Sequence, residues 1–230
     1  MKTITWKNKK ELPVFKKLER FKFDINKLVD SYNEILSYDW DSINNEYSKF
    51  TEIHKDTTKS FDKNYAQYAL TVFDETFNLS KRKEKSGSMW DKIVAMKKPE
   101  ADERFYRKRK DNLPSYLHHV LDSFGEGVVH KSRFALLPAH ANIKPHIDHD
   151  TRYGVRVHIP IITNDKSVYG ATDHDGKDKE EHFPADGGAW FINPGVRHWV
   201  RNEGDTDRIH LILSCSYTPV RKHYFVNMKV

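Results

Sequence analysis

The chain has one cysteine among its 230 residues, Cys215. No intrachain disulfide can form, which fits a reducing compartment, and a cytoplasmic location is expected. Cys215 closes the apolar run Leu211–Cys215, so it reads as a buried packing residue. No stretch of eighteen apolar residues occurs, and none is available for a membrane-spanning helix. Residues Met1–Lys10 lack the apolar core of a secretory signal. Internal repeats are absent, as is any composition shift that would mark a second domain, so residues 1–230 are expected to form one domain. Nucleic-acid motifs are missing too: no finger, helix-turn-helix or stacking signature accompanies the basic clusters Lys81–Lys85 and Arg104–Lys110. The net charge of +6 and pI near 9.1 are therefore read as a solvated surface, and a nucleic-acid partner is disfavoured.

What the chain does have is a globular composition, 37% hydrophobic and 13% aromatic, enough for a sizeable core. Residues 1–125 read as mixed and mostly helical. Asp24 can cap a helix from Ile25 to Leu36, and a second helix follows Pro114 and stops near Gly125. Tyr65–Phe77 is apolar and fits helix or strand, and Lys81–Ser88 reads as a charged loop. From about Val128 the apolar period changes to two. Strands are expected at Ser132–Leu137, Val155–Ile159, Ala189–Ile192, His198–Val200 and Asp207–Leu213, divided by Asn193-Pro194-Gly195 and other turns. Short strands and tight turns over some ninety residues indicate a β-sandwich or barrel, with the N-terminal helices packed against it. The polar connection Asn164–Glu181 reads as a solvent-exposed hairpin loop. Its Asp173-His174-Asp175-Gly176 segment has the glycine in the wrong register for a calcium loop. Trp190 and Trp199 read as core aromatics.

The chemistry concentrates at His146, Asp148 and His198. Residues i and i+2 of a strand share a face, so His146 and Asp148 can chelate one ion, and His198 follows a Pro-Gly turn where a strand begins. Two imidazoles and a carboxylate suit non-haem Fe(II) with open positions, although the same set can hold zinc or manganese. Arg208 lies ten residues after His198. Arg156 lies ten after His146, on the same face of its strand as His158. A guanidinium beside a metal can clamp a carboxylate with two hydrogen bonds. His149, Asp150 and His182 are neighbours that can support the ligands or touch substrate.

Four segments in order, Lys144–Asp148, Arg156–Ile161, Gly188–Asn193 with His198, and Arg208–Ile212, resemble the aspartyl/asparaginyl β-hydroxylase family of Fe(II)- and 2-oxoglutarate-dependent oxygenases. The resemblance covers residues 130 to 217. It implies an α+β, mainly β chain with a double-stranded β-helix (jelly-roll, cupin-like) core over 126–220. It also implies iron on His146, Asp148 and His198, through which these three residues are catalytic, and 2-oxoglutarate on Arg208 with Arg156 and His158 alongside. The implied activity is O₂-dependent hydroxylation of an unactivated C–H on an amino acid or peptidyl side chain, with succinate and CO₂ as co-products. The name-giving animal members lack the triad carboxylate, whereas this chain has Asp148. With that carboxylate on the metal no position is left for a halide, which favours hydroxylation over halogenation. A cupin-like metal- or ligand-binding module without catalysis shares the β core and the histidines. It requires neither arginine, so binding of 2-oxoglutarate separates the two readings.

Overall fold

A computed structural model describes residues 12–37, 65–77, 102–149, 151 and 154–216. The basic run Lys81–Lys85, the expected loop Lys81–Ser88 and Asp150 lie outside them.

Twelve strands are present among the described residues: β1 (Phe15–Lys22), β2 (Ala66–Ala69), β3 (Thr71–Val72), β4 (Lys108–Arg109), β5 (Val129–Leu137), β6 (Asn142–His146), β7 (Val155–Ile162), β8 (Ser167–Thr172), β9 (Asp178–Glu181), β10 (Gly188–Ile192), β11 (His198–Asn202) and β12 (Arg208–Cys215). Two helices, α1 (Ile25–Leu36) and α2 (Ser115–Asp122), and a 3₁₀ turn at Glu103–Phe105 complete the elements. A six-stranded antiparallel sheet runs β1-β10-β7-β12-β5-β2, and a four-stranded one runs β6-β11-β8-β9. The strand that follows β6 in sequence, β7, lies in the large sheet; the β8–β9 hairpin returns to the small sheet, β10 to the large, β11 to the small and β12 to the large. This is the double-stranded β-helix arrangement of a jelly roll.

Period-two patterning decides which side chains line the interior. On the outer face of the large sheet, Phe134, Val155, Val157, Ile159, Phe191, Leu211 and Leu213 join one apolar cluster with Leu28, Tyr32 and Ile35 of α1 and Leu117, Val120 and Leu121 of α2. Tyr32 meets Phe134 edge-on with ring centres 5.2 Å apart. Asp24 caps α1 as expected, its carboxylate accepting from the Asn26 amide at 3.0 Å and the Lys27 amide at 3.3 Å, a bond worth about 1 kcal/mol. The opposite face of the same strands presents Arg133, Arg156, His158, Arg208 and His210, all buried, toward the small sheet. One alternation therefore builds an apolar shelf for the helices and a polar wall for a cavity.

The structure settles one open reading and departs from the sequence expectations in three places. Within Tyr65–Phe77, which fitted helix or strand, Ala66–Ala69 and Thr71–Val72 are strands, β2 paired to β5 and β3 paired to β4. Residues 12–125 supply strands to the large sheet as well as helices, because β1 covers the β10 edge and β2 the β5 edge. The connection Asn164–Glu181 is not one exposed loop: β8 lies inside the small sheet with Tyr169 and Ala171 buried, and only residues 173–177 form a hairpin turn between β8 and the exposed β9. Gly170 is the reason such a strand is hard to read, since the Trp199 indole occupies its Cβ position, 2.1 Å from an ideal Cβ. Finally, the Arg104–Lys110 cluster is not wholly a solvated surface. Arg104 is buried and paired with the buried carboxylate of Asp102 at 2.6 Å. Trp190 and Trp199 are buried, and so is Cys215.

Candidate metal centre

His146 ends β6 and faces His198, which begins β11, as a registered pair across the small sheet. Asp148 lies two residues past the end of β6, and its amide donates to the Pro194 carbonyl at 3.1 Å, tying the chain beyond β6 to the turn that precedes His198. The two imidazole rings are 4.3 Å apart, and the three residues offer ligand atoms that all lie within 4.8 Å of one another. No other group of metal-ligating side chains occurs among the described residues. The Asp173-His174-Asp175-Gly176 stretch is instead a turn, in which Asp173 accepts from the amides of Asp175 and Lys177.

Backbone contacts decide which ring nitrogens are free. His146 Nδ1 meets the Lys144 carbonyl at 2.7 Å, and His198 Nδ1 meets the Val196 carbonyl at 2.9 Å. A carbonyl only accepts, so both Nδ1 atoms carry the proton and both Nε2 lone pairs point to the shared space. His146 Nε2 lies 3.2 Å from Asp148 Oδ1. Burial would raise the Asp148 pKa, but the hydrogen bond that His146 donates when doubly protonated and the charges of His198, Arg156 and His149 hold it well below the usual range. His198 is pushed down by burial, which favours the neutral imidazole a metal requires. The triad opens to solvent at Asp148 and Ile147, which is exposed, and closes at the buried His198. The donor set is two imidazole nitrogens and one carboxylate with no thiolate. It fits a divalent first-row metal with vacant positions.

Arg156, expected beside the cosubstrate, is held by several protein groups. Its terminal nitrogens bond the Glu103 carboxylate, at 3.1 Å for Nη2, and the Ser214 hydroxyl, and Nη2 lies 3.5 Å from Asp148 Oδ2. The Ser214 hydroxyl also donates to Glu103 at 2.9 Å, and Lys131 approaches Glu103 at 3.6 Å. Burial opposes the charge on Glu103, yet Arg156, Lys131 and Arg133 outweigh it and hold the carboxyl well below its ordinary range. A buried acid from the 3₁₀ turn thus holds the guanidinium that holds Asp148. Sequence reasoning missed Glu103, since nothing local marks an acid whose partners lie 53 and 111 residues away.

Arg208 is different. It is buried, and among the described residues its Nη2 hydrogen-bonds only the Nδ1 of His210, at 2.9 Å. Burial pulls it down to about 10, with the Tyr65 and Tyr169 hydroxyls opposing. Since a guanidinium only donates, His210 Nδ1 accepts and the ring carries its proton on Nε2, which has no partner. His158 Nδ1, Tyr169 Oη, Trp190 Nε1 and Arg133 Nε and Nη1 are likewise buried without hydrogen bonds. His158 and Tyr169 stand edge to face with ring centres 5.9 Å apart, and Tyr169 stacks on His198 at 5.8 Å. Trp190 is abreast of His158, and Arg133 is abreast of Ile212, itself abreast of His158, so both share that face with it; nothing local in the sequence marks Tyr169 or Arg133. His182 does not reach the triad by its Nδ1, which meets the Ser167 carbonyl at 2.9 Å. A cavity whose unpartnered atoms are mostly donors fits an anionic, oxygen-rich guest such as a dicarboxylate.

Among solved structures, the chain is similar to a prolyl-4-hydroxylase from Pseudomonas putida (16% identity, TM-score 0.39, 46% of this chain and 67% of that one). It is also similar to an oxidoreductase of the 2OG-Fe(II) oxygenase family from Burkholderia pseudomallei (14% identity, TM-score 0.42, 66% of each chain), and to a cupin domain from Bordetella pertussis (19% identity, TM-score 0.29, 37% of this chain and 79% of that one). These likenesses are too distant to bear on chemistry. No curated protein matches the chain by sequence. The model of the family described as Aspartyl/Asparaginyl beta-hydroxylase, by contrast, matches residues 37–217. That span holds the triad, both walls of the cavity and Glu103, and the chain belongs to the aspartyl/asparaginyl β-hydroxylase family.

Proposed function

We propose that the protein is an Fe(II)- and 2-oxoglutarate-dependent dioxygenase that hydroxylates a C–H bond of an amino acid or peptidyl side chain, with succinate and CO₂ as co-products. The observation that carries this reading is the pairing of an open two-histidine, one-carboxylate set with a buried arginine, Arg208, that has no anionic partner among the described residues. His146, Asp148 and His198 would hold the iron, which supplies the site where O₂ and the keto acid react to give an oxidant strong enough for an unactivated C–H.

The chain's own residues prepare that chemistry. The Lys144 and Val196 carbonyls fix both imidazoles with Nε2 toward the metal position. Arg156, itself fixed by Glu103, keeps Asp148 ionised and oriented. Arg208 offers charge and hydrogen bonds to the distal carboxylate of 2-oxoglutarate, and His158 contributes a neutral, buried ring to the same wall. The apolar rings of Tyr169, Phe183 and Trp190 exclude water there.

Anaerobic titration of the metal-free protein with Fe(II) and then 2-oxoglutarate tests the proposal. A weak visible charge-transfer band near ~500 nm is expected for a chelated keto acid on iron with open positions, and His198→Ala should lack it. Iron that binds without producing the band would favour the metal-binding module instead.

A further inference from the structure

Two arginines of the polar wall differ in what holds them. Arg156 is fixed by the Glu103 carboxylate, which opposes its charge. Arg208 forms no ion pair among the described residues, and its Nη2 donates instead to His210 Nδ1 at 2.9 Å. A carboxylate would be the stronger partner for a guanidinium. It would also cancel the charge that an anionic guest needs. An imidazole that accepts on Nδ1 fixes one N–H of the guanidinium and leaves the charge whole.

His210 is held in that state by its surroundings. It is buried, and burial, with Arg208, His158 and His182 nearby, keeps its pKa well below the ordinary value. The His158 ring stands edge to face with it, ring centres 5.7 Å apart, and the Phe183 ring stacks at 6.5 Å. The imidazole is therefore packed on two sides. Arg208 and His210 are two residues apart on β12 and share its inner face. The other polar groups that bear on Arg208 are the Tyr65 and Tyr169 hydroxyls, which burial keeps protonated. Every neighbour that orients or faces this guanidinium is thus uncharged at neutral pH.

Resting on the proposed dioxygenase function, we propose that His210 is the positioning residue of Arg208 and the determinant of cosubstrate choice. Its Nδ1 aims the guanidinium at the distal carboxylate of 2-oxoglutarate without competing with that carboxylate for charge. An acid at this position would hold Arg208 as Glu103 holds Arg156, and the chain would lose its preference for a dicarboxylate.

The experiment is anaerobic titration of the charge-transfer band on Fe(II)-loaded protein. The probes are 2-oxoglutarate and 2-oxopentanoate, which has the same chain length and keto-acid head but no distal carboxylate. The proteins are wild type, His210→Asn, His210→Leu, His210→Glu, Arg208→Gln and the Arg208→Gln/His210→Leu double variant. His210→Asn keeps an acceptor near the Nδ1 position and should bind 2-oxoglutarate close to the wild-type affinity. His210→Leu removes the acceptor and should weaken it by roughly 10-fold. His210→Glu cancels the charge and should weaken it by ~30-fold or more. 2-Oxopentanoate makes no use of Arg208 and should bind all six proteins alike, which also shows that each is folded and holds metal. In the Arg208→Gln background, His210→Leu should weaken 2-oxoglutarate no further, whereas a merely structural residue would exact the same factor in both backgrounds. Equal losses for the two keto acids, additive losses in the double variant, or a His210→Glu protein that binds 2-oxoglutarate like wild type would each overturn the inference while wild type still gives the band. A wild-type protein without the band overturns the dioxygenase function, and the inference with it.

Discussion

Glu103→Gln should destabilise this protein far more than a typical surface change. The carboxylate is buried, accepts from Arg156 and Ser214, and is approached by Lys131 at 3.6 Å. The amide keeps the shape but removes the charge, and its NH₂ faces donors. Arg156 and Lys131 are then left buried against a neutral group, a change that costs about 3–5 kcal/mol. In a chain of this size each kcal/mol moves the midpoint by roughly 2–4 °C, so Tm at pH 7 should fall by about 6–20 °C. The pH dependence has a definite sign. Glu103 is held below its ordinary pKa in the folded state, so its contribution is fully present above the unfolded carboxyl value and is lost as pH falls through the folded one. The gap in Tm between wild type and Glu103→Gln should therefore be constant near neutrality and close in acid. Thermal denaturation of both proteins across a pH series measures it. A gap under about 3 °C at pH 7, or one that widens in acid, would refute the argued role of the buried carboxylate.

Three further outcomes are expected. Arg208→Gln should leave Fe(II) binding intact and weaken 2-oxoglutarate by ~30-fold or more, as calorimetry or the charge-transfer titration would report, because the buried guanidinium has no other anion among the described residues. Gly170→Ala drives a methyl group into the Trp199 indole and should cost about 1–3 kcal/mol, read in chemical denaturation, and an unchanged midpoint would contradict the packing. Cys215 is fully buried and its thiol is pushed well above the ordinary value by that burial. A disulfide reagent should leave it unlabelled in the native protein and label one equivalent in denaturant.

Much of the fold was legible because its signals are local. Asp24 announces α1, and the alternation of Val155, Arg156, Val157 and His158 assigns each residue to its face. The His-x-Asp spacing and the turn before His198 bring the triad together without reference to anything distant. What stayed hidden depends on partners far along the chain. Strand β1 carries Lys16, Lys17, Glu19, Arg20 and Lys22 and buries only Leu18 and Phe21, so its composition resembles surface while its backbone caps a sheet edge. Strand β8 contains a glycine that only the neighbouring Trp199 explains. The spacing of Arg156 from His146 is visible in the sequence, whereas its acid, Glu103, is not. Arg133 gave no signal, since a lone arginine in an apolar strand reveals its significance only once its surroundings are known.

The position of Glu103 also sets where this protein can be cut. A fragment beginning near residue 126 would keep all three triad residues, yet it would lose the acid against Arg156 and Lys131 and the two strands that cover the sheet edges at β10 and β5. The triad-bearing half is thus no autonomous unit. Recombination could change the turn between β8 and β9, exposed at residues 174–177, but exchanging residues 1–125 for another sequence would have to bring a replacement anion for Glu103 in the same move. In this chain, heredity of the triad-bearing half is tied to heredity of the segment that carries Glu103.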